Sequence, residues 1–103
     1  MAISNTVLTT TISNVYVSTG DTVISVMYFC NTDHVAQTFD LYAAPANTSI
    51  VDNTVQIYKN IQIAGGDTFV VDMEKLALAN GDTIQGNASI DGAITTTISY
   101  VRL

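Results

Sequence analysis

Histidine and cysteine, which often carry acid–base, nucleophilic or metal chemistry, each occur once among the 103 residues of this chain. His34 lies beside Asp33 in a stretch that is typical of a turn. A His–Asp pair forms a hydrolytic triad when a hydroxyl side chain joins it, but serine and threonine are so frequent here that such a match carries no information. Cys30 ends an apolar run and is predicted to be a small buried hydrophobe. Neither residue is predicted to be catalytic.

The densest cluster of charges consists of Asp72, Glu74 and Lys75. Two carboxylates at a suitable separation can hydrolyse a glycosidic bond. Asp72, however, ends a predicted strand, and Glu74 begins a predicted helical turn, where the positive end of the peptide dipoles favours an acidic side chain. We therefore interpret the cluster as structural rather than catalytic.

No metal or cofactor site is predicted. One histidine and one cysteine cannot supply the ligand set of a transition metal. The chain also lacks the Asp-x-Asp-x-Asp spacing of a calcium loop. One cation shared between turns at an end of the fold stays open as an alternative, but the capping of each turn by its own aspartate explains the same residues. These residues are Asp21, Asp67, Asp72, Asp82 and Asp91.

The turns themselves are marked by a Gly-Asp-Thr motif, which occurs at residues 20–22, 66–68 and 81–83. Glycine permits a positive φ angle, the aspartate side chain can accept a hydrogen bond from the backbone beyond it, and the β-branched threonine favours an extended conformation. Each copy is therefore predicted to be a turn that leads into a β-strand.

Two of the stretches between turns alternate between apolar and polar residues as half-buried strands do. In residues 37–43 the inward side chains are predicted to be Phe39, Leu41 and Ala43. Residues 54–63 alternate as well, but Lys59 falls on the apolar face. This conflict predicts either a β-bulge near Tyr58, Lys59 and Asn60 or an exposed strand end.

Residues 22–30 carry apolar side chains on both faces and predict a strand that is covered on both sides. The outer cover could be a loop, a helical turn or another subunit. The predicted faces are Ile24, Val26, Tyr28 and Cys30 on one side and Val23, Met27 and Phe29 on the other.

The fold class predicted from these elements is all-β. About eight strands at a spacing of about 8–12 residues indicate a single β-sandwich or jelly-roll-like domain over residues 1–103. Residues 1–5 show no periodicity and are predicted to form a flexible N-terminal arm. Residues 73–79 are rich in helix formers and are predicted to form one short helical turn, with Asn80-Gly81 as its C-terminal cap. Ile84 is predicted to lie in the core.

The composition indicates a surface that neighbouring subunits cover. Charged residues are 12% of the chain, against about 25% in an average soluble protein, and interfaces are depleted in such residues. The alternative is a soluble monomer with a threonine-rich surface. A net charge of −6 with only three basic residues disfavours nucleic acid and anionic membranes as partners, because both require clustered cations.

The stretch from Ala44 to Asn53 contains the only proline and is predicted to be the longest loop, and long loops often make contacts. Tyrosines occur about once per predicted strand, which is typical of packing. Tyr42 and Tyr58 fall on the more polar faces of their strands and would be the first candidates for binding a protein or a glycan. The predicted interaction surface consists of Tyr42, Tyr58, Pro45, Asn47 and Ile50.

No basic segment precedes an apolar stretch at the start of the chain, and no apolar run has the length of a membrane span. The expectation is synthesis and release in a cytoplasm.

The order of these features resembles that of small virion proteins of tailed bacteriophages, particularly those that infect cyanobacteria. The resemblance includes Phe-Asp-Leu-Tyr-Ala-Ala-Pro at residues 39–45 and Asn-Gly-Asp-Thr-Ile at residues 80–84. Each piece alone is a common strand or turn, so the resemblance depends on their order. The matching pieces are residues 5–10, 15–20, 27–31, 39–45, 64–68, 74–76, 80–84 and 99–101.

The resemblance implies a non-enzymatic structural role in the virion and no catalytic residues. The expected function is a capsid decoration or cement protein that forms homo-oligomers or docks on the major capsid protein. A tail, baseplate or fibre component is the first alternative, and a module that binds a host receptor or a carbohydrate is the second. The chain would be made in the host cytoplasm and reside in the virion, with other virion proteins as partners.

Overall fold

The computed structural model describes residues 2–72 and 75–103. These residues form nine β-strands and no helix. The predicted all-β class is therefore confirmed. The strands are β1 Ala2–Val7, β2 Ser13–Val17, β3 Thr22–Asn31, β4 Gln37–Ala44, β5 Gln56–Ile63, β6 Thr68–Val71, β7 Leu76–Leu78, β8 Thr83–Ala88 and β9 Ile94–Arg102.

The strands build two antiparallel sheets that pack face to face. The five-stranded sheet has the order β1-β9-β3-β6, with β7 also paired to β3, and the four-stranded sheet has the order β2-β8-β4-β5. The strands pair like those of one long hairpin that has been rolled up across both sheets. These pairs are β1 with β9, β2 with β8, β3 with both β6 and β7, and β4 with β5. This is the connectivity of a jelly roll, with β6 and β7 sharing one strand position.

The hydrophobic core lies between the two sheets. Phe29 of β3 stacks on Phe39 of β4, with ring centroids 4.3 Å apart. Phe69 of β6 and Tyr58 of β5 meet edge to face at 5.9 Å and extend the aromatic cluster toward one side. Ile84 is fully buried, as predicted.

A β-bulge in β3 corrects the predicted faces of that strand. The register with β9 shifts between Ile24 and Val26. Ile24 therefore faces the core together with Met27 and Phe29, all of them buried, and not together with Val26. The predicted assignment was wrong because both faces of this strand are apolar, so the sequence does not indicate where a bulge exchanges the inward face for the outward one.

The bulge predicted in β5 is present. Phe39 lies opposite Ile61 while Leu41 lies opposite Tyr58, so the two residues Lys59 and Asn60 stand opposite the single residue Asp40. Asn60 has a φ of 53°, and its backbone N–H donates to the Asp40 carboxylate at 2.7 Å.

Two predictions about local structure were wrong, one for residues 1–5 and one for residues 73–79. Residues 2–5 are not a free arm, because they lie in β1 and pair with residues 97–100 of β9. The predicted helical turn is replaced, over its described part, by β7, which pairs with residues 22–24 of β3. Met73 and Glu74 lie outside the described residues. In both cases an open sheet edge offers backbone hydrogen bonds that outweigh a weak local preference.

Candidate interaction surface

The five residues of the predicted interaction surface do not lie together in the structure. Pro45, Asn47 and Ile50 share the exposed loop between β4 and β5, where Ile50 is 70% exposed. Tyr42 lies on the outward side of β4, opposite Gln85, but is only 7% exposed. Tyr58 is turned inward by the bulge in β5 and packs against the core. The predicted surface is therefore reduced to its loop residues.

Tyr42 is a poor binding platform because its side chain is nearly buried. Its burial, together with the nearby Asp40 carboxylate, raises the pKa of the phenol above its ordinary value of 10.0. The ring fills a space on the outside of the four-stranded sheet, so Tyr42 acts as a packing residue.

The loop of residues 45–55 is anchored at both ends. The Asp82 carboxylate accepts hydrogen bonds from the backbone N–H of Ala46 at 2.8 Å and of Ala79 at 2.9 Å. At the far end the Ala43 backbone N–H of β4 donates to the Val55 carbonyl at 2.9 Å. Within the loop the Asp52 carboxylate accepts from the Thr54 hydroxyl at 2.7 Å, which lowers the pKa of Asp52. The anchored ends present Ile50 to solvent between them.

The turn aspartates bind backbone rather than a common centre. Gly20, Gly66 and Gly81 of the three Gly-Asp-Thr motifs have φ angles of 79°, 76° and 88°. The Asp67 carboxylate accepts from the N–H of the next residue, and that of Asp91 from the N–H of Thr10 at 2.7 Å. The described residues include no cluster of three or more acidic, histidine or cysteine side chains suited to a metal ion. The interpretation of these aspartates as turn devices agrees with this geometry.

An apolar cleft opens on one side of the sandwich between β5 and the edge formed by β6 and β7. Its volume is about 120 Å³, smaller than the roughly 300 Å³ at which typical ligand pockets begin. Its lining combines core and edge residues, namely Met27, Ile57, Tyr58, Val71 and Leu76. The phenol of Tyr58 is the one ionisable group among these described lining residues.

The feature that the sequence prediction missed is the outer surface of the five-stranded sheet, which we call the uncharged face. It consists of the outward side chains of β1, β9, β3, β6 and β7, and none of those described is charged. Its larger apolar members are Ile3, Val7, Val26, Tyr28, Val70 and Val101. The central strand β9 contributes mostly hydroxyls, from Thr95, Thr97 and Ser99.

Strand register places Tyr28 in the middle of the uncharged face. Tyr28 lies opposite Thr97 of β9 on one side and opposite Val70 of β6 on the other. Tyr28 is 41% exposed and Val70 is 43% exposed, while Ile3 at the margin is 67% exposed. The cover that the two-sided apolar pattern predicted for β3 is therefore not supplied by the described part of this chain.

The outer surface of the four-stranded sheet differs from the uncharged face in its side-chain composition. Its central pairs are Asp40 with Asn87 and Tyr42 with Gln85, and the exposed Lys59 lies at its edge. Amides and charges thus lie at the centre and one edge of this side of the sandwich, with the exposed apolar Val17 at the other edge, whereas apolar and hydroxyl side chains without a described charge cover the other side. Only the latter has the composition of an interface core.

No protein-family model, curated protein or solved structure matches this chain. Among the described residues no helix is long and apolar enough to cross a membrane.

Proposed function

We propose that this chain is a non-enzymatic structural protein of a bacteriophage virion, and that it decorates the capsid by self-association or by docking on the major capsid protein. The observation that carries the proposal is the uncharged face. A chain with a net charge of −6 that leaves one entire sheet surface without a described charge has a surface suited to being covered by protein.

The fold and the sequence resemblance support the same role. Jelly rolls occur in viral capsid proteins and also in lectins, so the fold alone is an analogy and carries little weight. The ordered resemblance to small phage virion proteins favours the capsid over the lectin. Low charge also suits a protein present in many closely packed copies.

Two surfaces of the chain would make separate contacts in the assembled particle. The uncharged face offers area and shape for burial. The loop of residues 45–55 offers an anchored, exposed tip with Ile50, which suits a smaller contact with a different virion protein. The same two surfaces would serve a tail, baseplate or fibre component, so the location on the particle is what the experiment must decide.

A carbohydrate- or receptor-binding module is the less favoured alternative. Such a module needs exposed aromatic rings beside polar groups. The two tyrosines predicted for that role are buried or packed inward, and Tyr28, which is 41% exposed on the uncharged face, is the ring that such a module would have to use.

Imaging of intact particles tests the proposal directly. Gold-labelled antibody against the chain is expected to decorate the capsid in many copies, and mass spectrometry of purified particles is expected to detect the chain. Label at the tail would move the assignment to the first alternative. Absence of the chain from purified particles would contradict a structural role.

A docking assay separates the loop from the rest of the surface. Recombinant chain with Ile50→Lys is expected to bind purified particles that lack it at least about tenfold more weakly than wild type, since a charge replaces an apolar contact. Val17→Lys is the matched control, because Val17 is also an exposed apolar residue but lies on β2, at the edge of the four-stranded sheet opposite to β5. Equal binding by both variants would remove the loop from the docking surface.

A further inference from the structure

We infer that the uncharged face is covered by the same face of a second copy of this chain, in a two-fold dimer. This inference deepens the proposed function by naming the occupant of the surface that carries it. It rests on charge, on area and on the hydrogen bonding of the face.

The charge distribution favours an identical partner. The described acidic side chains lie in turns, in loops and, for Asp40, on the outer surface of the four-stranded sheet. Two copies that met through these regions would bring like charges together, which opposes association. Two copies that meet through the uncharged face bury no described charged side chain of its strands, and the described charge at its margin is Lys75, whose ammonium donates to the Ser25 carbonyl at 2.6 Å between β6 and β7. A cationic partner, in contrast, would be attracted to the acidic regions and away from this face.

The area of the face is sufficient for a dimer. Its four strand positions span about 19 Å and its longest strands span about 30 Å, at the usual spacings within a sheet. Because β1, β6 and β7 are shorter than β3 and β9, the face measures about 500 Å² on each copy and about 1,000 Å² in a dimer, which is the lower size expected of a specific interface.

Several polar groups near the middle of the face are paired within it, which lowers the cost of covering those groups. The Thr97 hydroxyl donates to the Asn5 side-chain oxygen at 2.9 Å. The Ser25 hydroxyl donates to the Ser99 backbone oxygen, also at 2.9 Å. A hydroxyl that keeps its hydrogen bond can be buried at much lower cost than one that loses it. Tyr28, in the middle, is of a residue type enriched at interface hot spots.

The test is the mass of the chain in solution, measured by sedimentation velocity over a range of concentrations. Wild type is expected to be a dimer. Tyr28→Glu and Val70→Lys each place two like charges, one from each copy, in the interface, and each is expected to weaken dimerisation at least about tenfold. Gln62→Glu is the matched control, since Gln62 is exposed on β5 of the other sheet, and it is expected to leave the dimer intact. Thermal melting of each variant verifies that it is folded.

Cys30 provides a second readout that identifies the face. It is the only cysteine, is partly exposed, and lies on the uncharged face opposite Thr95 and Thr68. Its alkylation by a small neutral reagent is expected to slow as wild-type concentration rises, and to be independent of concentration in Tyr28→Glu. A dimer whose Cys30 reacts as fast as that of the monomer would place the interface elsewhere and overturn the inference.

The outcomes separate this inference from the proposed function. A wild-type chain that stays monomeric at all concentrations overturns the dimer but leaves particle imaging to decide the role in the virion. A monomer that loses binding to particles on Tyr28→Glu overturns it in favour of a different virion protein on this face. A dimer that depends on Tyr28 but is absent from particles supports the inference and contradicts the proposed function.

Discussion

Asn31 is a fully buried polar residue that joins three segments at one end of the sandwich. Its side-chain N–H groups donate to the backbone oxygens of Val35 and Ile63, both at 2.9 Å. Its side-chain oxygen accepts from the N–H of Asp33 at 3.0 Å. The residue thereby ties the end of β3 to the following turn and to the end of β5. Asparagine is common in turns, and no local pattern in the sequence indicates the burial of Asn31.

Replacing Asn31 by alanine is expected to lower the free energy of unfolding by about 3 kcal/mol, because several buried backbone groups lose their partner. Urea unfolding at neutral pH measures the change. Asn53→Ala in the exposed loop is the control and is expected to change stability by no more than about 0.5 kcal/mol. A similar effect from both substitutions would mean that Asn31 does not hold the three segments together.

Thr96 and Thr22 are both 1% exposed, yet they differ in hydrogen bonding. The Thr22 hydroxyl accepts a hydrogen bond from Ser18 at 3.0 Å. The Thr96 hydroxyl has no hydrogen-bond partner among the described residues. Thr96→Val is expected to stabilise the fold by about 1 kcal/mol, since it removes a buried unpaired group, whereas Thr22→Val is expected to destabilise it by a similar amount. Thermal unfolding of the two variants tests this, and a shift of the same sign in both would contradict it.

Tyr42 predicts how stability depends on pH at the alkaline end. Its pKa is raised in the folded chain above the ordinary value of 10.0. Below that value both states are protonated and the stabilisation is fully present, but as pH rises further the unfolded chain loses the proton first, so stability falls. Between about pH 9 and pH 11 wild type is expected to lose more unfolding free energy than Tyr42→Phe, in which this group is absent while the other tyrosines still titrate. Equal losses, measured by urea unfolding, would contradict the prediction.

At the scale of elements, two bulges decide which side chains enter the core. The bulge in β5 was predictable because Lys59 on an apolar face is a visible conflict. The bulge in β3 was not, since both faces of that strand are apolar and either phase fits. The strands β6 and β7 pair with the same edge of β3, one on each side of its bulge, and leave a gap between them. At this gap the Lys75 ammonium donates to the Ser25 carbonyl at 2.6 Å.

The strand β7 can be tested against the helical turn that its composition favours. Leu78 is buried, so Leu78→Ala is expected to cost about 2–3 kcal/mol. Ala77 is exposed between two inward leucines, and Ala77→Thr is expected to be neutral within about 0.5 kcal/mol or slightly stabilising, because threonine favours a strand. In a helix the same change would be destabilising. Chemical unfolding of both variants distinguishes the two structures.

At the scale of the whole molecule, the rolled hairpin places segments from opposite ends of the sequence side by side. Ala2 lies opposite Tyr100 and Val7 opposite Thr95. The two outer surfaces of the sandwich then differ sharply in charge, as the dimer proposal requires. Neither property belongs to any single strand.

Such long-range pairing predicts slow folding. Loop closure between distant strands must precede their contacts, so refolding from urea is expected to take milliseconds to seconds, as in other all-β proteins. Stopped-flow fluorescence of the tyrosines measures the rate. Complete refolding within microseconds would show that local contacts dominate.

The sequence by itself determined the all-β class, the glycine turns, the buried face of β4 and the burial of Ile84, because these depend on backbone preferences and on an alternation that a few neighbouring residues express. The tertiary structure alone decided the pairing of β1 with β9, the strand at residues 76–78, the inward turn of Tyr58 and the existence of the uncharged face. These depend on which strand lies beside which and in what register. Such partners are distant in the chain, and their hydrogen bonds and packing outweigh the local preferences from which a sequence is interpreted.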